Sequence, residues 1–313
     1  MPFKRNHLLR FSLVLLILIT AIPLPIRAAV PASESSLRAR PLDQAQISET
    51  PGQVIEISAE AYGLPPADHP LVQSYDRQSV FLQNGDGVRF SVTIPEAGLY
   101  TISFDMAATE SFISGPEGQL LIDGEYPIQD ARRIVFPLYY QNTASEFPKD
   151  RYGNDALIRQ ERMYRWTRVP MRDANFSLKH PLPIELSQGE HEFEFSLTQE
   201  AMLLGSIYIE SYAEYPAYEQ YLQKYQAPDS TGFSLEIEAE FPAYKNDTSI
   251  RPINFRSLEV TPYDTYKLLL NTLGGESWQQ SGSTVYYAFA VPQDGLYEIS
   301  LRWIQNLKNN LTV

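Results

Sequence analysis

The sequence predicts an all-β protein: a β-sandwich of jelly-roll type, then a second, truncated copy of the same unit, with a short helix connecting them. Three observations predict it. First, Val88–Met106, V-R-F-S-V-T-I-P-E-A-G-L-Y-T-I-S-F-D-M, recurs without a gap at Val285–Trp303, V-Y-Y-A-F-A-V-P-Q-D-G-L-Y-E-I-S-L-R-W. A repeat of this length speaks for the architecture before any single element does. Second, apolar residues alternate through both copies, Val88, Phe90, Val92 and Ile94 before the turn and Tyr100, Ile102, Phe104 and Met106 after it. That is the period of a strand with one buried face. Third, 20 tyrosines, 15 phenylalanines and 23 prolines against 16 glycines suit a loop-rich β-protein.

Each copy reads as two strands about a turn. Pro95 and Pro292 preset φ, and Gly98 and Gly295 are expected to take the positive φ that other residues resist.

Residues 1–28 read as a secretory signal peptide, with Lys4, Arg5 and Arg10 before the apolar run from Phe11 to Ile22 and small residues at Ala28, Ala29 and Ala32. The run is short for a bilayer span. An extracellular location is expected, and the resemblance given below implies association with the cell surface. Residues 29–52, rich in serine and proline, form a flexible lead. The first jelly roll is expected over 53–212. It opens at Val54–Glu60 and continues through strands at Val80–Leu82, Gln119–Ile122, Arg133–Phe136, Thr167–Pro170, Ile184–Leu186, Glu192–Leu197 and Ser206–Ser211, besides the hairpin about Pro95. Residues 137–165 are a long polar excursion of the kind that carries function, with Asn154 or Asp155 placed to cap a short helix through Met163. Residues 213–231 form a helical linker. Its Tyr218, Tyr221, Leu222 and Tyr225 fall at i, i+3, i+4, i+7 and predict a packing stripe. Residues 232–313 are the partial second copy, opening with a strand at Ser234–Glu240. Sixteen residues follow Tyr297, against 112 between Tyr100 and Tyr212, so the expectation is the amino-terminal piece of a longer protein.

Charge and composition exclude several classes. A formal net charge of −13 opposes nucleic-acid binding, which needs clustered cations. With no cysteine there are no disulfides and no thiolate metal sites. The four histidines are scattered and no hydrolase or phosphate-loop motif occurs, so no enzyme is predicted.

The opening E-I-E-A-E, the P-x-x-G-L-Y-x-I-S hairpin, the strand-turn L-L-I-D-G-E and the later elements at 166–169, 184–191 and 205–210 resemble carbohydrate-binding modules of the galactose-binding-like jelly-roll type. The layout of signal peptide, two modules and a tyrosine-rich connector looks like the front of large extracellular solute-binding proteins of carbohydrate ABC importers in Gram-positive bacteria. The resemblance implies a secreted, non-catalytic domain that binds polysaccharide or oligosaccharide and reaches an ABC permease through a further domain. An ancillary module of a glycoside hydrolase or lyase, and a structural cell-surface domain, are the alternatives. The resemblance also implies structural calcium, with ligands from the Glu-Ala-Glu element: Glu60 in the first copy and Glu238 and Glu240 in the second, where alternate strand positions would face one ion. Ser58 and Ile207 stand where the calcium pattern has acids.

For the sugar, aromatic faces and a cation are the expected groups: Tyr139, Tyr140, Tyr152, Arg162, Tyr164 and Trp166, in and beside the long excursion. Seven cationic residues lie within Lys149–Arg172 against three acids. In an acidic chain that excess suggests an acidic sugar, because arginine grips carboxylates at two points.

Overall fold

The computed structural model describes residues 13–16, 54–109, 113–178, 181–213, 217–224 and 232–304. Most of the expected signal peptide, all of the 29–52 lead and Tyr225 lie outside them. The early strands are β1 (Leu13–Leu16), β2 (Val54–Ile57), β3 (Val80–Leu82), β4 (Gly87–Ile94), β5 (Gly98–Ala108) and β6 (Glu117–Ile122). Then come β7 (Ile134–Val135), β8 (Tyr139–Asn142), β9 (Gln160–Met163), β10 (Thr167–Pro170), β11 (Ile184–Leu186), β12 (Gly189–Gln199) and β13 (Met202–Ser211). Helix α1 (Tyr218–Lys224) precedes the short strands β14 (Tyr244–Lys245), β15 (Pro252–Ile253), β16 (Thr272–Leu273), β17 (Val285–Tyr286) and β18 (Leu296–Ile299). Among the described residues no helix is long and apolar enough to cross a membrane.

The chain forms two compact units. The larger is Leu37–Tyr215 with Ala239–Tyr287; the smaller is Met1–Ser36 with Pro216–Glu238 and Ala288–Val313. The larger unit is a β-sandwich. One sheet runs β10-β5-β13-β2, with β11 also on β5 and β3 on β13; the other runs β4-β12-β6-β7. Every pair in both is antiparallel. In β4 buried and exposed residues alternate without exception, as the sequence period requires. Phe104 of β5 meets Phe195 of β12 at 5.0 Å and Phe136 edge-on at 5.5 Å, while Phe90 stacks on Phe193 at 5.6 Å. These rings and the aliphatic residues of both inner faces make one continuous core.

The turn differs from expectation. Gly98 does not adopt positive φ; it opens β5 in extended conformation, paired with Leu186 of β11. Pro95, which has no N–H to give, marks the end of β4 instead. The helix expected after Asn154 is also absent. Gln160–Met163 is strand β9, because it finds β8 as an antiparallel partner, Tyr139 opposite Met163 and Asn142 opposite Gln160.

A third sheet in the larger unit, β17-β14-β8-β9, joins the excursion to residues 239–287. Lys245 pairs with Tyr140, and Tyr244 with Tyr286. Nearby, Leu268 N and Leu270 N donate to the side chains of Asn154 (2.8 Å) and Asp155 (2.9 Å).

In the smaller unit β18 pairs antiparallel with β1, and Phe233 meets Tyr297 edge-on at 5.8 Å. Helix α1 forms where the period places it, but Tyr218 and Leu222 are exposed, so the expected packing stripe is not covered along its length. Ser234–Glu240 forms no strand, and residues 239–240 are a turn. The matching strand of the first copy, β2, is held by β13; an edge without such a partner does not keep strand geometry.

Candidate functional site

The β8–β9 hairpin brings together three of the residues expected to bind sugar. Its register sets Tyr140 directly opposite Arg162. The Arg162 guanidinium lies over the Tyr140 ring, 5.0 Å from its centroid, and 6.0 Å from the centroid of Tyr164. Its Nη1 donates to Tyr140 Oη at 2.9 Å, while Nη2 is buried and meets no hydrogen-bond partner. Burial accordingly holds the Arg162 pKa below the usual arginine value. Tyr164 keeps part of its ring in solvent.

Tyr139, on the opposite face of β8, is buried. It meets Tyr244 edge-on at 5.5 Å and Tyr286 at 6.0 Å, and these two stack on each other at 4.3 Å. Arg165 covers the outside of the stack, 4.5 Å from the Tyr244 centroid. Burial raises the Tyr139 phenol pKa, with the neighbouring tyrosines adding to it. Tyr139 is thus the keystone under the hairpin and presents no open ring. Tyr244 and Tyr286 are the members that sequence reasoning missed, whereas Arg165 is one of the seven cations it singled out. The first two lie about a hundred residues or more along the chain, and only the excess of aromatics hinted at them.

The other expected residues fall elsewhere. Tyr152 is exposed and carries Arg151 over its ring at 4.6 Å. Trp166 is buried, stacked on Tyr75 at 4.0 Å, with Nε1 donating to the Leu71 carbonyl at 2.9 Å. It anchors the 64–78 loop on the outer face of the first sheet and leaves no face for a sugar. Of the seven cations in 149–172, Lys149 pairs with Asp155 and Arg168 with Asp105, and Arg151, Arg162, Arg165 and Arg168 lie over tyrosines.

For a metal, Glu60 is exposed on the single turn Ala59–Tyr62. Glu240 is buried; burial, with the Glu240 charge beside it, lifts the Tyr287 phenol to about 12. Glu238 is exposed, and the strand that would alternate it with Glu240 does not form. Among the described residues no three of Asp, Glu and His gather closely enough to hold an ion. The acids on the outer sheet face carry arginine counter-charges instead. Glu56 accepts from Arg77 and from Ser206 Oγ at 2.8 Å. Asp105 accepts from Arg168 Nε at 3.1 Å and from the hydroxyls of Tyr75 and Tyr208 at 3.0 Å each.

Ser187, His191 and Asp123 line up, but as a clip on the β11–β12 turn. His191 Nδ1 lies 2.6 Å from Asp123 Oδ2, and its Nε2 lies nearer the Ser187 carbonyl (2.9 Å) than the Ser187 hydroxyl (3.2 Å). A proton spent on the carbonyl is not a base for the hydroxyl. A separate surface groove of about 400 Å³ is lined by Leu64–Asp68, Phe81, Leu82, Asp86 and Gly87.

No protein-family model matches the chain, and no curated protein matches it. Among solved structures, the carbohydrate-binding module (CBM6) at the C-terminus of LamC, a laminarinase of Zobellia galactanivorans, is 14% identical over 51% of this chain and 100% of its own, with a TM-score of 0.31. A GH26-CBM35 β-(1,4)-mannanase of Podospora anserina is 13% identical over 52% of this chain and 28% of its own, TM-score 0.31. A family 35 module of Clostridium thermocellum is 10% identical over 51% and 92%, TM-score 0.27.

Proposed function

We propose that the larger unit is a non-catalytic carbohydrate-binding domain whose ligand lies along the β8–β9 edge, against Tyr140, Arg162 and Tyr164. The observation that carries this reading is the cross-strand pair of Tyr140 and Arg162. A cation is held half-buried on an aromatic ring in the cross-strand pair, beside the partly exposed ring of Tyr164. A guanidinium desolvated in this way gains from a carboxylate more than from a neutral hydroxyl, and the exposed Tyr164 ring suits the apolar face of a pyranose. The ligand class is therefore a polysaccharide or oligosaccharide containing uronic acid. The resemblance of the sequence layout supports a secreted, cell-surface setting in front of a carbohydrate importer's solute-binding domain, with an ABC permease as the distant partner. Service as the accessory module of a glycoside hydrolase or lyase uses the same surface.

The test is a titration of the chain against polygalacturonate, glucuronoxylan, and neutral xylan, glucan and mannan, with calcium and with EDTA. We expect binding to the acidic polymers, weakened at least tenfold by Arg162→Ala and by Tyr164→Ala and unchanged by Phe81→Ala. Binding that ignores Arg162 and is lost with Phe81 would move the site to the Leu64–Gly87 groove. Binding to none of the polymers would leave a structural domain.

A further inference from the structure

The two copies of the nineteen-residue repeat align position by position, yet in the second several inward positions are exposed and the others are only half-buried. Phe104 is fully buried and its counterpart Leu301 is 77% exposed; Met106 is 1% exposed and Trp303 48%; Val92 is 5% exposed and Phe289 43%. In the first copy this face is closed by strands from much later in the chain, chiefly β12 and β13. The strand that does pair with the second copy is informative. β1 meets β18 with Leu13 opposite Ile299, Val14 opposite Glu298 and Leu15 opposite Tyr297. β13 meets β5 with Ile209 opposite Ile102, Glu210 opposite Thr101 and Ser211 opposite Tyr100. Ile299, Glu298 and Tyr297 are the repeat equivalents of Ile102, Thr101 and Tyr100. An apolar segment of the chain therefore pairs antiparallel with β18 at positions equivalent to those where β13 pairs with β5.

We infer that β18 is a strand-acceptor edge for an extended partner segment with the chemistry of β13, in which apolar residues alternate so that one side covers Leu301 and Trp303. Segment Leu13–Leu16, within the stretch read as a signal peptide, holds that place in the unprocessed chain, and removal of that peptide would vacate it. A strand edge that takes up an apolar segment is a site for strand addition, and the exposed Leu301 and Trp303 just beyond β18 add apolar surface of the kind that marks an interaction. A second copy of the chain is the poorer occupant. The formal net charge of −13 opposes self-association, and in the first copy the hairpin is closed by unlike strands, not by another hairpin. This inference does not depend on sugar binding.

The test uses the full chain and a fluorescent peptide of Met202–Tyr212 with two added lysines, read by anisotropy. Val14→Pro takes a backbone donor from β1 and should open the edge, so that the peptide binds this variant at least tenfold more tightly than the unaltered chain. Adding Glu298→Pro should abolish that gain, whereas adding Glu298→Ala should keep it, which isolates the backbone from the side chain. On binding, exchange of the amides of residues 296–299 should slow, while those of β5 in the larger unit stay protected throughout and report intact folding. Failure of the Val14→Pro variant to bind, or equal binding of a scrambled peptide, would overturn the inference. So would protection of 296–299 by concentration-dependent self-association without peptide, which would give the face to a second copy.

Discussion

Val88–Met106 and Val285–Trp303 share a pattern of inward positions and differ in what they become. The first yields strands of 8 and 11 residues within a closed core. The second yields strands of two and four residues, Val285–Tyr286 in the larger unit and Leu296–Ile299 in the smaller. The alternation that marks a strand in sequence states which side would be buried; it does not supply the neighbour that buries it. Strand length here follows the partners, as expected where β-propensity measures packing more than backbone preference.

The strongest way to break that comparison is to truncate matched positions. Phe104→Ala removes a fully buried ring in contact with Phe136 and Phe195 and should cost about 3–5 kcal/mol. Leu301→Ala removes a side chain that is mostly in solvent and should stay within about 0.5 kcal/mol. Urea denaturation, read as shifts in midpoint at constant slope, measures both. Equal losses would mean that the second copy has a core of its own.

A second test concerns the segment that order reaches from outside. Lys245 of β14 is almost wholly buried and its Nζ donates to the Ile250 carbonyl. Burial, with the Arg251 charge in addition, lowers its pKa to about 8. A lysine whose folded pKa lies below its unfolded value costs stability while the unfolded chain holds the extra proton. Stability attributable to Lys245 should thus rise from pH 8 towards pH 10, by at most on the order of 3 kcal/mol. The difference between the unaltered chain and Lys245→Met, followed by thermal melting across that range, isolates it. A flat difference profile would show that the lysine reaches water.

The sandwich was legible in sequence because its signal is local. Period-two burial in β4, the boundaries of β3, β10 and β11, and helix α1 all follow from neighbours within a few residues. The third sheet was not legible. Tyr139–Asn142 and Gln160–Met163 show no apolar alternation, and what orders them is each other and a Lys245–Tyr140 pairing across about a hundred residues. The candidate site was legible by residue type and not by place. Tyr140, Arg162 and Tyr164 assemble, because register sets the first two face to face. Tyr139 and Trp166, chosen for the same aromatic chemistry, are buried. A single sequence does not tell an aromatic that covers a hairpin from one that a sugar would cover.

The smallest expected effect concerns how the covering strands are fastened to the first hairpin. β11 and β12 lie against its two strands, Leu186 opposite Gly98 and Gly189 opposite Ile94. The turn between them is held by His191. The hydrogen bond to Asp123 raises the His191 pKa above its ordinary 6.5, and the bond from Glu192 N, followed by that from His191, lowers the Asp123 pKa below 3.8. A raised histidine contributes fully below its unfolded pKa and loses its contribution as pH rises through the folded value. A lowered aspartate contributes above its unfolded pKa and loses its contribution as pH falls. The clip is therefore tightest from about pH 4 to 6.5 and loosens on either side. Amides of residues 187–190 should exchange faster, relative to the intrinsic rate, as pH climbs above 6.5, and His191→Ala should remove that excess. A His191 ring that titrates at or below 6.5 by NMR would show that the Asp123 contact does not persist in solution, and the hairpin would then owe its closure to strand pairing and core packing alone.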